Sequence, residues 1–359
     1  MDASFYAILK TTAEHWDPAV LDLSVSVNPL GPPQGIQEAV AAVTPLCAGY
    51  PDGSCAALTQ AACRVYGLSP GQIFWGTGAG ELIDRLVRAV RPKRALLPVP
   101  TFEDYEKALR RQGCQVSYYY LEEQNGFQFT PRFLKALAPG LDLVFLCQPN
   151  NPTGQTIPAA LLREILARCR ENGILAVVDE CFLGFLDQAD ALTSRQFLNE
   201  FPNLAVIDAF TKLYALAGFR LGFCAAGNSL LLKKIEEAGP EFCVSIPAMA
   251  AGLAALADRE YLSRTRAFLR EEKAFLRAVL EKQGICPVGS LANFLFFPSP
   301  VPSLREKLQE RGILIRDCDS FRGLSREYCR AAVRTREENI KFISVLAEVL
   351  QEQGLYGAH

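Results

Sequence analysis

The sequence predicts an α/β protein built on a mainly parallel sheet, and two observations carry that reading. From about Gly76 to Gly227, short apolar segments alternate with amphipathic segments of helical period, the pattern of strands joined by crossover helices. After Ile246 the alternation stops, and short strands follow a long helical region, so a smaller α+β unit closes the chain. A length of 359 residues is enough for two such units, each with its own core.

Seven segments read as strands of the larger unit, each apolar and rich in branched or aromatic side chains. They are IFWG (73–76), ALLPVP (95–100), QVSYYYL (115–121), LDLVFLC (141–147), ILAVVDE (174–180), LAVIDAF (204–210) and LGFCAAG (221–227). Helices fit between them at Glu81–Arg91, Phe102–Gln112, Ala159–Asn172 and Leu230–Ala238. An alanine-rich and charged stretch from about Pro247 to Gln283 reads as one long linking helix. NFLFF (293–297), ILIRDC (313–318) and YCRAAVR (328–334) read as short strands, and a last helix starts near Glu337. The expected division is an N-terminal arm that joins the small unit (1–40), a large ligand-binding domain (41–245) and a small C-terminal domain (246–359).

Composition excludes several function classes. A net charge of −2 gives no electrostatic reason for nucleic acid or an anionic membrane as partner. The longest weakly polar stretch, Val244 to Ala257, is too short to span a bilayer. Met1–Asp17 lacks the basic start and apolar centre of a signal peptide, so a cytoplasmic location is expected. Twelve cysteines contain no C-x-x-C pair, and Cys147, Cys181 and Cys224 fall in apolar runs where a free thiol acts as a small hydrophobe. Only two histidines occur, His15 and His359, which argues against Ser-His-Asp or Cys-His catalysis and against a histidine metal site. Proton transfer is left to lysine, tyrosine or carboxylate.

Four segments carry chemistry. Lys212 follows the run LAVIDAF, has Thr211 directly before it and Arg220 eight residues on. Upstream, ILAVVDE ends on Asp179 and Glu180. An amine that condenses with an aldehyde, a buried carboxylate for a ring nitrogen, and a hydroxyl with an arginine for a phosphate are what pyridoxal phosphate requires. GTGAGEL (76–82) is a glycine-rich turn entering a helix, whose exposed N–H groups attract phosphate. CQPNNPTG (147–154) leaves a buried strand, and its prolines stiffen the backbone so that Asn151 can present its amide. Ligands gather at such carboxyl ends of strands in open α/β sheets.

NNPTG, VVDE, TKLYALAGFRLG and YCRAAVRTREEN together resemble the fold-type-I pyridoxal-phosphate enzymes of the histidinol-phosphate aminotransferase branch. The resemblance runs from about Leu21 to near the C-terminus. It implies a mostly parallel seven-stranded sheet sandwiched by helices, and pyridoxal 5'-phosphate as cofactor. It makes Lys212 the Schiff-base lysine, Asp179 the partner of the pyridine nitrogen and Asn151 the donor to the ring hydroxyl oxygen. Thr211, Arg220 and the amides of Ala79 and Gly80 would hold the phosphate, and Tyr105, in PTFEDY, would stack on the ring. Tyr50, in the YPD element, would reach the neighbouring subunit's site, which implies a homodimer.

Within the branch, LDLSVSVNPLGPP (21–33), TKLYAL, ILIRDCDSFRGL, AVRT (332–335) and Phe182 in DECF look like the threonine-phosphate decarboxylase family of the cobalamin pathway. That likeness implies a small O-phosphorylated amino acid as substrate. Arg330 would grip its carboxylate and Arg316 its phosphate, with Ser26 and Asn28 nearby; Arg334 or Arg322 could share either role. Guanidinium forks suit both anions. The chain departs from the pattern in lacking an HGGN element, in Ser26 where the family has asparagine, and in Ala209 where a hydroxyl residue is common. Phosphothreonine, phosphoserine and another acidic amino acid stay open as substrates, and a histidinol-phosphate or aromatic aminotransferase is the second reading. A pyridoxal-phosphate-binding protein without turnover is the remote third.

Overall fold

The structure, a computed structural model, describes residues 20–325 and 327–355. His15 and His359 lie outside the described residues, as does most of the arm ahead of Leu21.

Twelve strands are present among the described residues. β1 is Leu21–Asp22, β2 Ile73–Gly76, β3 Arg94–Val99, β4 Gln115–Tyr120, β5 Leu143–Cys147 and β6 Leu175–Asp179. β7 is Leu204–Ala209, β8 Gly222–Ala226, β9 Phe294–Pro298, β10 Ile313–Leu314, β11 Arg316–Asp317 and β12 Tyr328–Ala332. Seven of them form one sheet in the order β2-β8-β7-β6-β5-β3-β4. All run parallel except β8, which is antiparallel to both neighbours. All five residues of β5 are buried, and so are four of five in β6 and five of six in β7. That is the signature of strands covered on both faces, and it explains why their sequences are unbroken apolar runs. β4 lies at the edge and alternates exposed and covered residues along QVSYYY.

Two hydrophobic cores flank this sheet. One includes Leu146, Val178 and Val206 and reaches the helices Ala159–Glu171 and Ile246–Ala257. The other includes Phe145, Val177 and Ile207 and packs the helices Ala79–Val90, Glu103–Arg111 and Ser229–Glu237. A third core gathers β9, β12 and the helices Tyr261–Lys282 and Arg336–Glu352.

Two expectations about elements change. The stretch Pro247–Gln283 is two helices, Ile246–Ala257 and Tyr261–Lys282. Asp258 ends the first and starts the second, accepting the backbone N–H of Tyr261 on its carboxylate at 3.0 Å. ILIRDC is two strands serving two sheets: β10 pairs with β1 in parallel, while β11 pairs with β12, which pairs with β9. Among the described residues, no helix is long and apolar enough to cross a membrane.

Candidate active site

The carboxyl ends of β3, β5, β6 and β7 open on one side of the sheet, and a cavity of about 940 Å³ lies there against the third core. Lys212, Asp179, Asn151, Thr211, Ala79, Gly80, Arg220, Arg316 and Arg330 all line it. They come from sequence positions more than two hundred residues apart, so the topology, not the chain order, assembles them.

Lys212 sits in the short helix Phe210–Leu213 directly after β7. The chain then turns through Ala215 and Arg220, both at positive φ, and returns as β8. Phe210 N donates to Leu221 O at 3.0 Å and closes this excursion, so the lysine is held at the sheet edge. Burial lowers the Lys212 pKa to about 8, with help from the charges of Arg330 and Arg220. A neutral, nucleophilic amine is therefore available close to neutral pH.

Asp179 ends β6 and is buried. Its Oδ2 accepts the Tyr105 hydroxyl at 2.7 Å, and its Oδ1 accepts the backbone N–H of Cys181 at 3.0 Å. Burial pushes its pKa up, and hydrogen bonds from Cys181 and Tyr105 oppose that rise. Such a carboxylate gains most from a positively charged partner such as a protonated ring nitrogen.

Arg330, on β12, is buried and spans two elements: it donates to Asn151 Oδ1 and, at 2.8 Å, to Ser24 O. With its oxygen taken, the Asn151 amide has its N–H donors left for the cavity. Arg330 Nε is buried without a hydrogen-bond partner among the described residues.

Gly78 precedes the helix Ala79–Val90 at φ +91°, and a Cβ there would stand 3.1 Å from the Arg220 guanidinium. Among the described residues, Arg220 donates only to Ala217 O in its own loop, at 3.2 Å. Helix amides, a close glycine and a guanidinium with spare N–H groups could hold a phosphate. Glu81, in the first turn of that helix, would oppose an anion, but the buried Arg85 pairs with it at 2.8 Å.

Three expected roles change. Tyr105 is wholly buried, with its ring stacked on Phe145 at 4.7 Å, and does not line the cavity. It shares a helix face with Ala108 and Leu109, which packs on the sheet, and so meets Asp179 from behind. Phe102, at the start of the same helix, lines the cavity instead. Ser26 is buried away from the cavity, held by Asn293 Nδ2 on its carbonyl at 3.0 Å, while Ser24 and Val25 face inward. Asn28 is structural: its Nδ2 donates to Leu213 O and to Thr265 Oγ1, both at 2.8 Å. Arg316 lines the cavity, and its Nη2 donates to Glu103 at 2.8 Å and Ser320 at 2.9 Å.

Arg322 pairs with Glu106 and Arg334 with Glu338, and neither lines the cavity. Tyr50 is 86% exposed and leans on Phe242, ring centroids 5.5 Å apart. Cys147 and Cys181, read as packing residues, both border the cavity beside Asp179. All twelve cysteines are free thiols.

Comparison with known proteins agrees with this geometry. The family profile "Aminotransferase class I and II" matches residues 18–346. The chain is 32% identical over 334 residues to the threonine-phosphate decarboxylase of Salmonella typhimurium, covering 92% of this chain and 91% of that one. It is 35% identical over 339 residues to the histidinol-phosphate aminotransferase of Symbiobacterium thermophilum, covering 93% and 91%. The crystal structure of the histidinol-phosphate aminotransferase from Clostridium acetobutylicum superposes with a TM-score of 0.88 at 25% identity, over 93% of this chain and all of that one. A lysine of lowered pKa, a buried acid and an anion cradle fit pyridoxal phosphate, and with these matches the chain is a pyridoxal-phosphate-dependent enzyme that belongs to the class I and II aminotransferase family.

Proposed function

We propose that the protein is a carboxy-lyase acting on an O-phosphorylated amino acid, L-threonine O-3-phosphate first, and working as a homodimer in the cytoplasm. The observation that carries this reading is a cavity lined by more arginines than one carboxylate needs. Arg330 is buried beside Lys212, Arg316 stands across the β11–β12 pair from it, and Arg305 lines the same cavity. A substrate that carries both a carboxylate and a phosphate matches that set of cations.

In this reading Lys212 would anchor the cofactor aldehyde, Asp179 would hold a proton on the ring nitrogen, and Asn151 would donate to the ring oxygen. Ala79, Gly80, Thr211 and Arg220 would hold the phosphate, and Phe102 lines the same cavity. Bound there, pyridoxal phosphate supplies an electron sink for a bond at the substrate's Cα. The protein decides which bond breaks. Arg330 would hold the carboxylate and the neighbouring arginines the phosphate, and two anchors would fix the orientation of the substrate. The Cα–carboxylate bond would break with release of carbon dioxide, and Lys212 Nζ would deliver a proton to Cα. Phe182 borders the site with a ring that donates no hydrogen bond, packed edge-on against Phe294 at 5.4 Å. The exposed Tyr50–Phe242 pair is where a second copy would dock, bringing Tyr50 to the neighbouring site.

Purified enzyme with pyridoxal phosphate should release carbon dioxide from O-phospho-L-threonine without any keto acid. A strict need for 2-oxoglutarate would move it to the aminotransferases, the reading favoured by relatives such as that of Symbiobacterium thermophilum. A panel of phosphothreonine, phosphoserine and histidinol phosphate separates the substrates.

A further inference from the structure

Asp179 and Lys212 would serve opposite ends of one planar ring, so the distance between them has to be fixed. They stand at the carboxyl ends of β6 and β7, which pair from Ala176 with Leu204 to Asp179 with Ile207. The backbone ladder stops there. Glu180 N donates to Ile207 O at 2.8 Å, and among the described residues no later main-chain bond joins the two exits.

Side chains continue the join. Val178 and Val206 lie in one core, and Glu180 and Asp208, two residues further along each chain, fall on that same side of the sheet. Arg195 stands between the two acids: its Nε lies 3.4 Å from Glu180 Oε2, and its Nη1 donates to Asp208 Oδ2 at 3.2 Å. The loop that carries the arginine is fastened to the same glutamate. Thr193 Oγ1 donates to Glu180 Oε2 at 2.7 Å, and Ser194 donates to Oε1 from both its backbone N–H and its hydroxyl. Arg195 Nε also donates to Thr193 Oγ1 at 2.9 Å, and the guanidinium covers the ring of Tyr66 at 4.6 Å. Asp208 Oδ1 accepts the backbone N–H of Ala209 at 2.7 Å, in the strand that leads to Thr211 and Lys212.

Tyr66, Tyr214 and Cys181 stand near Asp208 as well, but burial pushes all three up, so they stay neutral and Arg195 is the counter-charge of the set. A buried ion set adds little stability over well-packed apolar side chains. What it adds is geometry: a planar fork meets two carboxylates in fixed directions, which neither a point charge nor an apolar chain reproduces.

We propose that Arg195 is a positioning residue, which sets the spacing between Asp179 and Lys212 by bridging the carboxylates of Glu180 and Asp208. The inference rests on the cofactor roles given above to Asp179 and Lys212, and on neither the substrate nor the reaction.

The test uses the full-length protein as apoenzyme and holoenzyme. Arg195→Met alone would strand the buried Glu180 charge and endanger folding, so it is combined with Glu180→Gln. The double variant should melt within about 5 °C of wild type as apoenzyme. Its affinity for pyridoxal phosphate, by fluorescence titration, should nevertheless fall about ten-fold or more. The pH midpoint of its visible absorbance as holoenzyme should move by about half a unit or more. Arg195→Lys keeps the charge without the fork and should show a smaller change of the same kind in both readings. Wild-type affinity and midpoint in the double variant, wild-type behaviour of Arg195→Lys, or a fall in melting temperature with the midpoint unmoved would each overturn the proposal. Borohydride reduction and peptide mapping of wild type check the cofactor roles separately. An adduct on a lysine other than Lys212 would sink those roles and this inference together, whereas an adduct on Lys212 with unchanged variants would sink this inference alone.

Discussion

The Tyr105 hydroxyl donates to Asp179 Oδ2 at 2.7 Å from beneath the cavity floor, where neither ring nor hydroxyl meets solvent. The buried carboxylate thus has its orientation set from the sheet side, and its opposite face is left for a ligand. Tyr105→Phe removes one donor from a buried acid, which costs about 1–3 kcal/mol of stability. Chemical denaturation of the apoenzyme measures that loss. Without this hydrogen bond, which holds the pKa of Asp179 down, the group titrates higher still. The visible absorbance of the holoenzyme should therefore shift its pH dependence upward, and pyridoxal phosphate affinity should fall.

Lys212 has a folded pKa of about 8, below the ordinary lysine value. The neutral amine therefore grows in as pH rises through 8. The rate at which apoenzyme takes up pyridoxal phosphate should rise over the same interval and level off above it. Arg330→Gln removes one of the charges that lower this pKa and should move the midpoint to higher pH. Lys212→Ala should abolish turnover at every pH, a loss of about 10⁴-fold or more.

Gly78 and Gly80 make a paired test of the phosphate cradle. A methyl at Gly78 would press on the Arg220 guanidinium at 3.1 Å, and the backbone there has φ +91°, whereas a methyl at Gly80 would meet nothing within 4 Å. Gly78→Ala should weaken pyridoxal phosphate binding about ten-fold, from about 1–3 kcal/mol of strain. Gly80→Ala should leave the fold intact and bind within about two-fold of wild type. Fluorescence titration of the apoenzymes compares them.

Asp208, at the carboxyl end of β7, pairs with Arg195 at 3.2 Å, and Arg195 also approaches the fully buried Glu180 at 3.4 Å. Burial raises Asp208 to about 7 despite the arginine. Between pH 4 and 7 the folded protein therefore holds a proton that the unfolded chain has released, so stability contributed by this group falls as pH rises. The melting temperature should decline across that window, and Asp208→Asn should flatten the decline even though it loses the ion pair.

The residues legible in the sequence are those that end apolar strands. Asp179, Asn151, Thr211 and Lys212 each follow a run whose burial sets where the chain emerges, so type and position could be read together. Tyr105 and Phe102 were less legible because the two aromatics sit three residues apart at a helix start, where side chains near the N-terminus divide between sheet and cavity. Ser24 and Ser26 are separated by a bend at residues 24–25, and only Ser24 borders the cavity. The Arg316–Glu103 pair joins residues 213 apart, and nothing local signals it. Arg305 looks like any solvated helix cation until the cavity is drawn around it. The cysteines at 147 and 181 carry apolar neighbours, which conceals that their strands end at the site.

Asn28 ties the start of the described chain to the catalytic loop: its amide nitrogen donates to Lys212 O at 3.0 Å, and its side chain to Leu213 O. The segment is thereby a brace, and the lysine's bearing is borrowed from residues almost two hundred positions earlier. Clipping or loosening that brace would be felt at the chemistry before it was felt in the melting curve. Protection of the Asn28 amide against deuterium is accordingly a gauge of how firmly the enzyme holds its own nucleophile.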